Sequence, residues 1–231
     1  MTQGVRARAR AETMTQILAH GREQLAQNGA ADLSVRAIAR DLGMVSSGIY
    51  RYVASRDELL TALIIDSYDQ LGAAVEDAAA ARTTAGRRFL RGCAAARSWA
   101  VAHPHDWALI FGSPVPGYQA PPDTIPAAMR VPAVLLGLAA QQERDGGLLE
   151  HDPAPRVSRR LSTQAALVRD ALAADLPDAA VLRCLAAWAM INGIISFELF
   201  GQLANTFDPA DDATAHVFTQ AALLVGFPDV N

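Results

Sequence analysis

Apolar residues recur three and four positions apart along most of this chain, and no segment shows the alternation of period two that a half-buried strand needs. The pattern predicts an all-α protein. Helices are expected over about residues 11–27, in two short pieces within 34–53, and over about 55–81, 84–103, 104–112, 125–145, 158–175, 178–204 and 209–226. In the first, Met14, Ile17, Leu18 and Leu25 line one face, and Asn28-Gly29 is a stop signal. Pro104, Pro177 and Pro209 suit helix beginnings, where a missing amide hydrogen leaves nothing unpaired, and Asp208 stands as a cap before Pro209.

The densest pattern lies in residues 34–53, SVRAIARDLGMVSSGIYRYV. Ile38 and Leu42 share the inner face of a first short helix, and Ala39 beside them is small enough to let a second approach. Gly43 supplies the corner, because glycine enters the left-handed backbone region without a steric penalty. Met44 packs into that corner, while Ile49 and Tyr52, three apart, fall on the inward side of the second helix. Its other positions, Ser46, Ser47, Gly48, Tyr50 and Arg51, are polar or small, as a helix entering the DNA major groove requires. A single glycine between two core helices would be an ordinary connection; here about seven positions agree at fixed offsets, which selects a helix-turn-helix. Ser34 is placed to cap the first of the two helices, and Ser55 with Glu58 forms a capping box opening the next.

Two later segments break the regular pattern. Residues 112–126, GSPVPGYQAPPDTIP, hold five prolines in fifteen positions, which forbids a regular helix there. Residues 181–200, VLRCLAAWAMINGIISFELF, are apolar almost all round, so neighbours must cover that helix on more than one side. The last helix carries a broad stripe of Val217, Phe218, Ala221, Leu224 and Val225. Both helices are either interior to one chain or shared with a second copy.

Composition adds a polarity to this picture. The 231 residues are 51% hydrophobic, enough for a packed core, and carry a net charge of −4. The charge is unevenly spread: residues 1–60 hold eight arginines against six acids, and the remainder twelve against eighteen. The basic end is the one with the helix-turn-helix. Arg6, Arg8 and Arg10 precede it, either as an arm that follows a groove or phosphates or as a solvated tail. The N-terminal stretch has no apolar signal segment, and no charge-free run exceeds sixteen residues, short of the twenty or so a membrane span needs, so a soluble cytoplasmic protein is expected. Cys93 and Cys184, in alanine-rich contexts, read as reduced core residues.

The run LSVRAIARDLGMVSSGIYRYVASRDELL, residues 33–60, resembles the N-terminal DNA-binding domain of the tetracycline-repressor (TetR) family of bacterial transcription regulators. Tyr50, Val53, Arg56, Leu59 and Leu60 supply the family's string of a tyrosine, an apolar residue, a basic residue and a leucine-bearing helix start. Tyr52 stands where the family usually has histidine and Arg56 where it has lysine; both still hydrogen-bond a phosphate. The resemblance implies a three-helix helix-turn-helix domain over residues 1–54 and a helical-bundle ligand-binding and dimerisation domain over 55–231, with the last two helices forming a homodimer interface. It also implies a repressor on a palindromic double-stranded DNA operator, released by a small-molecule effector, with no cofactor and no membrane. The proline-rich segment resembles one seen in a branch of the family beside the ligand cavity.

Candidate contacts follow. Ser46 and Ser47 are placed for base edges, Gly48 for close approach of the backbone, Arg36 for a base edge or a phosphate, and Ser34, Tyr50, Tyr52 and Arg56 for phosphates. Trp99, Trp107, Phe111, Tyr118, Met129 and Trp188 are candidates to line an apolar cavity, with Asn192 or Glu198 as its polar contact; each is otherwise a core residue. Two rival functions remain: a ligand-independent DNA-binding activator or organiser, and a helical metal-dependent enzyme built on His103, His105 and Asp106. No second cluster completes a coordination sphere for those three, so neither catalytic nor metal-binding residues are expected.

Overall fold

The structure is a computed structural model describing residues 2–150, 155–172, 174–228 and 230. Among these the chain is helical, with no strand. In chain order the helices are α1 (Thr2–Asn28), α2 (Val35–Asp41), α3 (Ser46–Ile49), α4 (Arg56–Ala79), α5 (Ala85–Ala102), α6 (Pro104–Phe111), α7 (Ile125–Ala128), α8 (Arg130–Asp145), α9 (Arg159–Ala171), α10 (Asp178–Leu199) and α11 (Asp211–Val225).

Four departures from the sequence pattern have local causes. Helix α1 starts at Thr2 rather than near residue 11, because the alanines and arginines of VRARARA are strong helix formers and extend a helix already nucleated. Helix α3 spans one turn and continues as a turn, Tyr52 N donating to Ile49 O at 2.9 Å and Val53 N to the same carbonyl at 3.1 Å. The helix expected over 125–145 is interrupted at Met129: Pro132 has no amide hydrogen for the Ala128 carbonyl and its ring crowds it. Helix α10 stops at Leu199 rather than 204 because Gly201 turns left-handed at φ 79°, and Gln202 N then bonds Phe197 O at 2.8 Å. The helix expected over 158–175 covers Arg159–Ala171; residue 173 lies outside the described residues.

The chain forms two compact units, residues 1–69 with 103–127, and residues 70–102 with 128–231. The first therefore reaches beyond the sequence division at residue 54 and includes the proline-rich segment. Its core is aliphatic: Ile17, Ile38, Ile49, Val53, Leu59, Leu60 and Leu63 are all sealed from solvent. Leu109, Val115 and Tyr118 pack onto this same core, and the Tyr118 hydroxyl lies 2.9 Å from Thr61 Oγ1.

The second unit is a helical bundle in which α10 runs along α11 and also meets α5, α8 and α9. Ala96, Ala187 and Ala221 at these contacts are buried and small, so the helices pack closely. Phe89 and Phe227 meet at 5.2 Å between ring centroids. Arg97 holds Glu198 by two bonds of 2.7 Å and Asp211 at 3.0 Å, linking α5 to α10 and to the start of α11. These bonds to Glu198 raise the Arg97 guanidinium further above its ordinary range, and the same arginine lowers the Asp211 carboxyl.

Candidate nucleic-acid interface

The corner between α2 and α3 is closed by backbone hydrogen bonds. Leu42 is the C-cap of α2, Gly43 follows at φ 65°, Gly43 N donates to Arg40 O at 3.0 Å and Met44 N to Ala39 O at 2.8 Å. This is a Schellman closure, whose left-handed position favours glycine. Ser34 caps α2 as expected, its Oγ accepting from Ala37 N at 3.3 Å, and Gln24 of α1 braces it by accepting from Ser34 N at 2.9 Å. At α4, Ser55 Oγ accepts from Glu58 N at 3.1 Å, while Glu58 reaches back to the amide of Ala54, one residue before the cap.

The corner presents a polar outer face over its sealed interior. Arg36, Ser46, Ser47, Tyr50 and Arg51 are exposed, whereas Ile49 beneath them has no exposure at all. Tyr52 is half-buried against the core. Two candidates occupy different places from those expected of DNA-contacting groups. Gly48 is buried, and a Cβ there would meet Val45 at 3.4 Å and Met44 at 3.7 Å, so it faces the corner rather than the open surface. Arg56 is turned inward: its Nη2 donates to Ala30 O at 2.8 Å and Ala31 O at 3.2 Å, and its Nη1 to Asp57 at 3.3 Å. It fastens the α1–α2 connection to α4. Val45, 73% exposed as the residue preceding α3, belongs to the outer face without having been a sequence candidate.

Helices α1, α4 and α6 share a partly buried ionic cluster around Asp106. Arg22 of α1 donates from Nε to Asp106 Oδ1 at 2.9 Å and from Nη2 to Asp66, and Ser67 Oγ donates to Asp106 Oδ1 at 2.6 Å. Asp106 is 5% exposed and Ser67 fully buried. The cluster ties α1, α4 and α6 through one carboxylate, which accounts for the acid of the His103-His105-Asp106 group: Asp106 faces Arg22 and Ser67, and His105 is exposed. Among the described residues no three histidine, cysteine or acidic side chains are grouped to hold a metal ion.

The second unit contains an apolar cavity of about 390 Å³ between α8, α9 and α10. Met129 and Trp188 line it, together with Leu135, Leu161, Ala165 and Cys184. Gln164 is the one lining side chain with an amide, and none is charged. Burial pushes the Cys184 thiol up to about 12, as a dry surrounding should. The other candidates lie elsewhere. Trp107, Phe111 and Tyr118 belong to the first unit, where the Trp107 and Phe111 rings meet at 4.5 Å between centroids, tilted by 54°. Trp99 is a buried residue of α5, and Glu198 is committed to Arg97. Asn192 donates to Trp188 O at 3.3 Å, while its buried Oδ1 has no partner.

Helix α10 also carries an outward apolar face. Leu185 is 63% exposed, Phe197 51% and Phe200 45%, with Ala189 and Gly193 between them on the same side. By length and composition alone α10 is long and apolar enough to cross a membrane.

Comparison with known proteins gives the arrangement a context. Residues 17–63 match the family described as bacterial regulatory proteins, tetR family, and residues 89–221 match the tetracyclin repressor-like, C-terminal domain. The chain is 44% identical over 204 residues to the HTH-type transcriptional regulator Rv1816 of Mycobacterium tuberculosis, covering 86% of each protein. The regulator Mb1846 of Mycobacterium bovis matches equally. Among solved structures the chain is similar to the regulatory protein SCO4313, at TM-score 0.75 and 31% identity over 95% of this chain and 97% of that one. In fold alone it is similar to FadR from Bacillus subtilis in complex with stearoyl-CoA, at TM-score 0.61 and 13% identity, covering 92% and 97%.

Proposed function

The chain belongs to the tetR family of bacterial regulatory proteins, and we propose that this DNA-binding regulator is a cytoplasmic repressor that grips a palindromic operator as a dimer and is released by a small apolar molecule. The observation that carries the DNA reading is the polar outer face of the corner, Ser46, Ser47, Tyr50 and Arg51 exposed over the sealed Ile49. Ser46 and Ser47 enter the major groove and meet base edges; Val45 beside them offers an apolar surface to a thymine methyl group. Arg36, Tyr50 and Tyr52 hold phosphates, and Ser34 and Gly48 shape the corner. Arg56 acts from inside, by holding the α1–α2 connection.

The dimer uses α10 and α11. Leu185, Phe197 and Phe200 form an apolar face that a second copy covers, and Gly193 leaves open space for close approach. Two heads then read half-sites one helical turn apart, about 34–36 Å. The effector occupies the cavity beside Trp188. With no charged group in the lining, burying a carboxylate or phosphate there would cost several kcal/mol, roughly, so an uncharged ligand is favoured. Helix α4, which belongs to both units, is the covalent route by which occupancy biases the heads.

The test starts with duplexes selected from random DNA. Two protomers should bind each selected palindrome, and Ser47→Ala or Tyr50→Ala should weaken binding. Neutral apolar compounds that quench Trp188 fluorescence should release the complex. A site occupied by one protomer refutes the dimer; enhanced binding with such compounds refutes the repressor.

A further inference from the structure

The N-terminal arginines have a place that the corner alone does not explain. The Arg10 guanidinium stands 5.0 Å from the centroid of the Tyr52 ring, and its Nη1 donates to the Arg51 carbonyl at 3.1 Å. One side chain of α1 thus clamps two residues just after the recognition turn. Helix α1 then continues for two more turns to Thr2, and its first acidic residue is Glu12. At 100° per residue, Arg6 lies one turn before Arg10 on the same face, and Arg8 points the opposite way. There Arg8 meets Glu12 at 3.5 Å, both side chains well exposed. Arg6 is exposed, and its Cα stands about 6 Å beyond that of Arg10 along the helix axis. That is close to two steps of a DNA strand, whose charges advance about 3.4 Å each along the axis.

We propose that Arg6 contacts a backbone phosphate outside the segment read by the recognition turn, and that Arg10 is the positioning residue that aims this end of α1 by clamping Tyr52 and the Arg51 carbonyl. The partner is the phosphate backbone of the operator flank, so the contact adds affinity and register without sequence preference. This rests on the docking of the corner proposed above, and the helix supplies its own control, since Arg6 and Arg8 differ in face and not in charge.

The experiment measures binding of the full chain to its selected duplex across salt concentrations. R6A should lower the slope of log affinity against log salt by about 1.8, the loss of one phosphate contact in each protomer of the dimer, and shorten the protected footprint at both ends. R8A should keep the wild-type slope and footprint. R10K keeps the charge but not the planar stacking, and should lose affinity severalfold, roughly, with little change in slope. Y50A reports on the docking itself. If Y50A weakens binding while R6A and R8A give equal slopes, the arm is refuted and the docking stands; if Y50A binds as wild type, both are refuted.

Discussion

The two units of this molecule each bury an apolar core and expose different surfaces around it. In the first, Ile38, Ile49 and Leu60 are sealed beneath serines, a tyrosine and arginines. In the second, Ala187, Ile191 and Ile195 are buried on the same helix whose other side shows Leu185, Phe197 and Phe200 to solvent. The interiors also differ. The first unit places a carboxylate in its core and satisfies it with Arg22 and Ser67, whereas the second keeps its ion pairs among partly exposed side chains and leaves an apolar void. The proposed function gives each surface a partner of its own kind: a charged, hydrated polymer for the first unit and apolar partners for the second.

Removing the buried carboxylate attacks the first unit where it departs most from the second. Asp106→Ala leaves the buried Ser67 hydroxyl with the Leu63 carbonyl and Arg22 with Asp66, removing two hydrogen bonds to a buried carboxylate, and should cost about 3 kcal/mol in urea unfolding. A loss under about 1 kcal/mol would mean that the cluster does not hold the head together. Placing a charge on the apolar face makes the second unit resemble the first: Phe197→Asp should yield monomers in sedimentation and weaken operator binding by about a hundredfold, or 2.8 kcal/mol, with helical content kept. Unchanged dimers would move the interface elsewhere.

Smaller effects sharpen the contrast. Gly43→Ala forces a side chain into the left-handed region and should destabilise the corner by about 1–2 kcal/mol. The Cys184 thiol stands at about 12 in the folded protein against an ordinary value of 9.0, so the fold favours its neutral form. That contribution is intact below about pH 9 and is lost as pH rises toward 12, at up to about 1.4 kcal/mol per pH unit. Cys184→Ala should flatten this part of the stability profile. Ala165→Leu adds methyl groups where there is room, and should change stability by less than about 1 kcal/mol while blocking ligand-induced quenching of Trp188. A loss above about 2 kcal/mol would show the cavity to be filled by packing.

The helix-turn-helix was legible because its determinants lie within some twenty residues: Ile38, Gly43 and Ile49 state their own geometry through spacing. The cavity was only partly legible. Met129 and Trp188 line it, but Leu135, Leu161 and Ala165 come from helices whose adjacency no local pattern encodes. Trp107, Phe111 and Tyr118 read as cavity aromatics by size and polarity, but chain return placed all three in the first unit, Tyr118 on the helix-turn-helix core and Trp107 against Phe111. Arg56 carries a charge that suits a phosphate, yet its Nη2 is held by the carbonyls of Ala30 and Ala31, about twenty-five positions away, and its Nη1 by Asp57.

Sequence by itself therefore determined the helices, the glycine corner, the polarity of the recognition turn and the family, since these depend on spacing of three and four and on one backbone conformation. Tertiary structure decided which polar groups remain free to act. Arg22, Arg56 and Asp106 are occupied by partners distant in sequence, and Arg10 was drawn onto Tyr52 by the packing of α1. The physical reason is that a side chain's hydrogen-bonding capacity is finite and local, while the groups that consume it are brought together only by the fold.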